Sequence, residues 1–280
     1  MKHLALAATA FLALTGMQAA PAPAGPAPAG PAQMQLWRLD CGTVDVSNLD
    51  VFSDTYLYVG QKKTLVDSCY LIRHGENYLL WDTGLPGELA GTSMTSGPFT
   101  TSVRTKIVDQ LRQIGVPPER VNFVGVSHNH FDHIGQANDF PKATLLIGAE
   151  DWEASKTGEL AARFTPWVKG GAKVEALAGD HDVFGDGSVV VLDMPGHTKG
   201  HHSLLVKLPR TGNVLLTGDL YHFAENYRNR GVPGFNADRA QTLASMDRFN
   251  AIAKNLKARM IIQHEPADVA KLPRFPQAAQ

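Results

Sequence analysis

Three imidazoles and a carboxylate fall within six consecutive positions, 128–133, of the stretch Ser127-His128-Asn129-His130-Phe131-Asp132-His133. Neutral histidine nitrogens and carboxylate oxygens are the donors that a borderline cation such as zinc takes. The run before them, Val121-Asn122-Phe123-Val124-Gly125-Val126, reads as a buried strand. The donors therefore stand where a strand ends and a loop begins, and from there a rigid scaffold can aim several side chains at one point. The competing reading is a polar loop that is merely rich in histidine.

The order of apolar runs along the chain argues for the first reading. Met34–Leu39, Thr55–Val59 and Val66–Ile72 have the composition of strands, and a turn at His74-Gly75-Glu76-Asn77 joins the last of these to Tyr78-Leu79-Leu80-Trp81 as a hairpin. Residues 85–101 carry breakers and no periodicity, so they read as a long loop. Val103, Ile107, Val108, Leu111 and Ile114 recur at helical spacing, with Gly115 as the stop. Ala143–Ile147 reads as a strand and Glu150–Lys156 as a helix, while 157–187 is irregular. Ser188–Leu192 is a β-branched strand, and Leu204–Lys207 with Val214–Thr217 form a second hairpin. Residues 226–234 read as loop, Leu243 to Leu256 as an amphipathic helix, and Met260-Ile261-Ile262 as a last strand. Asp82, the 128–133 cluster, His197, Asp219 and His264 each lie at or just past the end of an apolar strand. Strands packed side by side carry such ends to one rim, and donors gathered on one rim are what a metal centre needs.

The ends of the chain bear on compartment. Met1-Lys2-His3, an apolar run from Leu4 to Leu14 and the small pair Ala19-Ala20 have the layout of a secretory signal peptide over residues 1–20. The Pro/Ala-rich stretch 21–33 cannot build a core and reads as an extended tether. The folded domain is expected over 34–280, exported to the periplasm or secreted, with no stable membrane insertion once the signal is removed. Apolar residues make up 44% of the chain, enough for a sizeable core, and the formal net charge of −1 carries no nucleic-acid footprint. Cys41 and Cys69 are read as unpaired, because Cys69 sits in an apolar run where a buried free thiol is common.

These motifs together resemble the metallo-β-lactamase superfamily: His128-x-His130-x-Asp132-His133, Pro195-Gly196-His197-Thr198, Thr217-Gly218-Asp219, Gln263-His264 and the early turn Asp82-Thr83-Gly84. The resemblance implies an α/β (α+β) fold, a four-layer αββα sandwich, holding two metal ions, usually Zn2+ with other divalent ions as alternatives. It implies that His128, His130 and His197 hold one ion, that Asp132, His133 and His264 hold the other, and that Asp219 bridges them. Such a pair lowers the pKa of water and polarises a carbonyl. Asp82 and His201 are expected to orient ligands, with a turn former as the rival role for Asp82 and plain polar packing as that for His201. Polar packing is the favoured reading for His202, and His3, His74 and His181 are read as surface residues.

Within the superfamily, Cys69-Tyr70-Leu71-Ile72, Asp82-Thr83-Gly84-Leu85-Pro86 and Pro195-Gly196-His197-Thr198-Lys199-Gly200-His201 are most similar to segments of the N-acyl-homoserine lactonases, the quorum-quenching enzymes. That similarity implies hydrolysis of a small-molecule lactone by a metal-bridging hydroxide, and a homodimer. Those lactonases commonly have a substrate-contacting tyrosine three residues after the bridging aspartate. Here that position is His222 and the tyrosine is Tyr221, so either is a candidate helper, with Asp132 managing the proton. Loops 85–101 and 221–235 are expected to supply an acyl-chain trough through Met94, Phe99, Phe223 and Phe235, with plain loop packing as the alternative. The rival functions are another hydrolase on the same centre (β-lactamase, thioesterase or phosphotriesterase) and a non-catalytic metal-binding sensor.

Overall fold

The computed structural model describes Met1 and residues 33–280. The expected signal peptide and nearly all of the Pro/Ala tether lie outside the described residues. In chain order the elements are β1 (Met34–Val46), β2 (Lys63–His74), β3 (Asn77–Trp81), β4 (Ser93–Ser96), β5 (Phe99–Ser102), α1 (Ile107–Gln113), β6 (Phe123–Gly125), α2 (Phe131–Ile134), β7 (Thr144–Gly148) and α3 (Ala149–Ser155). They continue with α4 (Thr165–Val168), β8 (Val174–Leu177), β9 (His181–Asp182), β10 (Val189–Asp193), β11 (His202–Leu208), β12 (Gly212–Leu216), α5 (Ala224–Asn229), α6 (Arg239–Asn255), β13 (Arg259–Ile261) and α7 (Pro266–Val269).

Two sheets result. The larger runs β4-β5-β1-β2-β3-β6-β7-β8 and the smaller β13-β12-β11-β10-β9. The period-two pattern of the strands explains why the sheets stack. In β2, Tyr70 and Ile72 point to the interface between the sheets, while Cys69 and Leu71 point to the opposite face. In β11 and β12, Leu204, Val206, Val214 and Leu216 meet that interface, and Leu205 and Leu215 face away. Each outer face is then covered by helices. Ile107 and Leu111 of α1, Ile134 of α2 and Trp152 of α3 pack on the larger sheet, and Met246 and Phe249 of α6 pack on the smaller. This is the four-layer αββα order. Each of these fully buried aliphatic side chains contributes roughly 1.5–3 kcal/mol of transfer free energy. Asp238 caps α6 by accepting from the Gln241 N–H.

Several local expectations are corrected. Residues 55–59 form turns rather than a strand: Tyr56 takes φ +58°, and Tyr56, Leu57 and Val59 are exposed. The long loop at 85–101 contains the β4–β5 hairpin, whose β4 residues are all exposed and so have no apolar alternation to read. Residues 157–187 hold α4 and two short strands, and 226–234 overlaps α5, a short polar helix. His74 and His181 are half-buried rather than at the surface, His74 stacked on Phe184 and paired with Asp186.

Cys41 and Cys69 are joined in a disulfide across β1 and β2, with Cα atoms 5.9 Å apart, which overturns the free-thiol reading. The cause is a bulge. The β1–β2 register pairs Leu39 with Cys69 and then shifts between Asp40 and Gly42, so Cys41 is an extra residue placed against its partner. The bridge closes a loop with a sequence separation of 28. Chain-entropy arithmetic puts its stabilisation at about 3–4 kcal/mol. Replacing both cysteines with alanine should lower the melting temperature by roughly 10 °C, read by calorimetry on the two proteins; an unchanged transition would remove the bridge from the account of stability.

Candidate metal centre

Five connections leave the strand ends on one rim. β3 runs into Asp82-Thr83-Gly84, β6 into the histidine-rich loop, β10 into Pro195-Gly196-His197, β12 into Thr217-Gly218-Asp219 and β13 into Gln263-His264. Because β3 and β6 are parallel neighbours, as are β12 and β13, their carboxyl ends lie side by side. Asp82 occupies the left-handed region at φ +58°, which a short polar side chain tolerates. Its Oδ1 accepts from the Ser127 N–H at 2.7 Å and its Oδ2 from Gln263 Nε2 at 2.9 Å, so the carboxylate ties three of the five connections together. Gly84, at φ +63°, lets the same turn lie against the disulfide: a Cβ there would stand 2.5 Å from Cys41 Cβ.

The donors form two sets. His128, His130, His197 and Asp219 offer one convergent group of atoms, and Asp132, His133 and His264 a second, with the atoms of each group within 4.8 Å of one another. His197 Nε2 lies 3.2 Å from His128 Nε2 and 3.0 Å from His130 Nδ1, and His264 Nε2 lies 3.2 Å from His133 Nε2. Nitrogens held about 2.0–2.1 Å from a tetrahedral ion stand about 3.3 Å apart, so these spacings suit a shared ion of that size. Asp219 stands between the sets. Its Oδ1 is 2.9 Å from His264 Nε2 and 3.2 Å from His133 Nε2, and its Oδ2 is 3.3 Å from His197 Nε2 and 3.6 Å from His128 Nε2.

Hydrogen bonds behind the rings fix which nitrogen faces inward. His133 Nδ1 donates to Asp82 Oδ2 at 3.0 Å, His197 Nδ1 to Asn236 Oδ1 at 2.8 Å and His264 Nδ1 to the Val66 carbonyl at 2.9 Å. Each leaves Nε2 as the free donor atom, the tautomer a metal requires. His201 Nε2 accepts from the Asp219 N–H at 2.9 Å while its Nδ1 donates to the Met194 carbonyl, so His201 orients the backbone of Asp219. His202 donates to the Gly200 carbonyl and packs at the start of β11. Asp151 was not foreseen: it accepts from Thr198 Oγ1, the Gly200 N–H and the Asn129 N–H, and so fastens the loop of His197 to the loop of His128 and His130.

The buried donors shift one another strongly. Burial and the neighbouring His197 push His130 down to about 3, and burial, followed by the charge of His133, holds His128 well below its ordinary value. Burial alone would raise Asp219, but His133, His222, His264 and His128 around it outweigh that and hold it well below the usual carboxylate range. Burial likewise opposes the charged form of His264, and the Asp219 carboxylate outweighs it, raising His264 to about 9.

Beside the centre lies a cavity of ≈ 220 Å³ lined by Val44, Phe52, Leu65, Phe99, Phe131 and Phe235, with His130, Asp132, Asp219, His222 and His264 at its floor. Of the expected trough residues, Phe99 and Phe235 line it. Phe223 is wholly buried in a cluster with Phe52 and Tyr58, and Met94 is exposed on β4, so neither belongs to this wall. Tyr221 is also turned away. Its hydroxyl accepts from Asn250 Nδ2, and its ring packs with Phe249 and Tyr227 on the outer face of the smaller sheet. Its neighbour His222 lines the cavity instead. Phe52, Val44 and Leu65 carry no motif, and Asn236 lies distant in sequence from the ring it holds.

Residues 63–264 match the sequence profile of the metallo-beta-lactamase superfamily. Among curated relatives, "N-acyl homoserine lactonase AttM" of Rhizobium johnstonii is 29% identical over 231 residues, covering 74% of this chain and 85% of that protein. "N-acyl homoserine lactonase AttM" of Rhizobium radiobacter is 33% identical over 187 residues, covering 60% and 68%. Among solved structures, an N-acyl homoserine lactone hydrolase with the product N-hexanoyl-L-homoserine bound at its catalytic metal centre superposes with a TM-score of 0.75 at 25% identity, covering 89% of this chain and 100% of that one.

Proposed function

Since the chain belongs to the metallo-beta-lactamase superfamily, we propose that it is a dinuclear zinc hydrolase that opens the lactone ring of N-acyl-homoserine lactones. The observation that carries this reading is the position of Asp219, one oxygen toward each histidine set, directly beneath an apolar cavity. His128, His130, His197 and Asp219 would hold one ion, and Asp132, His133, His264 and Asp219 the other. When bound, the two ions supply a water of lowered pKa and Lewis-acid polarisation of a carbonyl. The remaining work falls to the chain. Asp132, on the cavity floor, would take up the proton and return it to the departing ring oxygen. His222 is the candidate hydrogen-bond partner for the substrate carbonyl, since Tyr221 faces the other side of the sheet. Phe52, Phe99, Phe235, Val44 and Leu65 would seat the acyl chain and exclude water. Names of relatives support this substrate class. The amino-terminal layout supports export.

The test is a panel on the purified, zinc-loaded protein: homoserine lactones of several acyl lengths, a cephalosporin, a thioester and a phosphotriester. The lactones should show the highest kcat/KM. A higher value on any of the other three would replace the lactonase reading with that activity, and no turnover of any would point to a binding protein.

A further inference from the structure

His222 differs from the other imidazoles of the centre. His128, His133, His197, His201 and His264 each have a ring nitrogen tied back to a side chain or carbonyl. Neither nitrogen of His222 has a hydrogen-bond partner, although the residue is 3% exposed. Its Nε2 approaches Asp219 Oδ2 at 3.1 Å but out of line for a hydrogen bond. What surrounds the ring is aromatic. Phe52 lies 4.6 Å away, centroid to centroid, tilted by 53°; Phe235 stands edge-on at 6.0 Å and His264 is stacked at 6.1 Å.

Phe52 is itself held firmly. It ends the short 3-10 turn Leu49–Phe52, capped by the Asn48 side chain, and its carbonyl accepts from Asn226 Nδ2 at 3.2 Å. Asn226 is fully buried on α5, four residues past His222. The Gly234 N–H donates to the Val51 carbonyl, so the segment bearing Phe235 is fastened to the same turn. The Phe52 ring also meets Phe99, Phe223 and Phe235 edge-to-face at 6.0, 5.6 and 5.6 Å.

We infer that Phe52 is the positioning residue for His222: packing of its ring, latched through Asn226, holds the imidazole in the cavity wall, with Nε2 against Asp219 and Nδ1 unengaged by the protein. The inference rests on the hydrolase reading above. A donor left unengaged by the protein can serve the reacting carbonyl, and it does so only while its ring is kept from turning. A displacement of about 1 Å at such a group costs on the order of 10²-fold in rate. Phe52 lay outside every motif, and only the folded chain puts it against His222.

The test is a double-mutant cycle on whichever substrate of the panel the wild type turns over fastest. Phe52→Leu should lower kcat by roughly 10–100-fold, beyond any rise in KM from its place in the cavity wall, with two zinc ions per chain retained. Phe52→Tyr, which keeps the ring, should restore most of kcat. His222→Phe should lower kcat to a similar degree, and adding Phe52→Leu to it should cause no further loss. Nitrogen NMR of the imidazoles gives a readout independent of turnover: His222 signals should shift in Phe52→Leu while those of His201 stay. Multiplying losses in the double variant, an unmoved His222 signal, or loss of zinc from Phe52→Leu would each overturn the inference. Turnover of a substrate other than a lactone with the cycle still non-additive would leave this inference standing and remove only the lactonase reading. No turnover at all would remove both.

Discussion

Asp219→Ala should abolish turnover, lowering kcat/KM by roughly 10³-fold or more, the scale reached when a single preorganised electrostatic group is removed from an active site. The carboxylate is 4% exposed, and its two oxygens face four imidazoles across the two donor sets. Among the described residues, no other carboxylate is paired with histidines of both sets. Its loss therefore removes a donor from each at once, and it leaves His133, His264, His128 and His197 facing one another without a counter-charge. Zinc content measured by elemental analysis should fall from two ions per chain to one or none. Asp219→Asn keeps the shape and tests the charge: it should retain the fold, by circular dichroism, and still lose most of the activity. Full turnover with two bound ions in Asp219→Ala would sink the bridging role and the dinuclear reading with it.

How far the chain could be read before folding follows from where the physical signal lies. The strand-end positions of Asp82, His197, Asp219 and His264 were legible because each follows an apolar run, and the parallel pairing of β3 with β6 and of β12 with β13 sets the ends bearing Asp82 and the histidine loop, and those bearing Asp219 and His264, side by side. The stacked sheets followed from the family resemblance rather than from any one strand, although Tyr70 and Leu71 do alternate between two cores. The cavity wall was not legible. Phe52 stands in a turn, Val44 and Leu65 come from strands distant from the motifs, and no periodicity links them. Tyr221 is extended, and the side chains of Tyr221 and His222 face opposite ways, but composition alone does not say which faces the metal. The disulfide was hidden by a bulge, because one extra residue in β1 changes which side chains oppose each other and leaves no trace in the apolar pattern.

The four-layer order also explains why so many polar groups can be buried at the rim at modest cost. Ser127, His128, His133, His201, Gln263 and Asp82 are each almost inaccessible. They are tolerated because nearly every one is paired with another: Gln263 Oε1 accepts from the Gly218 N–H while its Nε2 donates to Asp82, and Ser127 Oγ lies 3.1 Å from both His128 Nδ1 and His133 Nδ1. A network of this kind is rigid while complete and costly when one member is missing, since each buried group left unpaired costs about 1–3 kcal/mol.

Asp82→Ala is therefore expected to act at a distance from the reacting atoms. The substitution removes the acceptor of three bonds, from the Ser127 N–H, from His133 Nδ1 and from Gln263 Nε2. It also places alanine at φ +58°, where a Cβ without a local hydrogen bond is strained. Two outcomes should appear together. Stability should fall by about 3 kcal/mol or more, as expected when several buried donors lose their partner, seen as a lower midpoint in denaturant titration. The His133 ring should lose its orientation, and zinc affinity at the set of Asp132, His133 and His264 should weaken by roughly 10–100-fold, measured by competition with a chelator. The other set keeps its own supports, Asn236 behind His197 and Ser127 beside His128, so its affinity should change far less. Asp82→Asn separates the contributions. Its Oδ1 can still accept from Ser127 and its side chain tolerates the left-handed backbone, while an amide nitrogen in place of the other oxygen can accept from neither His133 Nδ1 nor Gln263 Nε2. That variant should recover the part of the stability owed to the backbone and to the Ser127 bond, and little of the zinc affinity. Equal weakening of both zinc sites in Asp82→Ala, or unaltered zinc affinity in Asp82→Asn, would show that Asp82 serves only as a turn former.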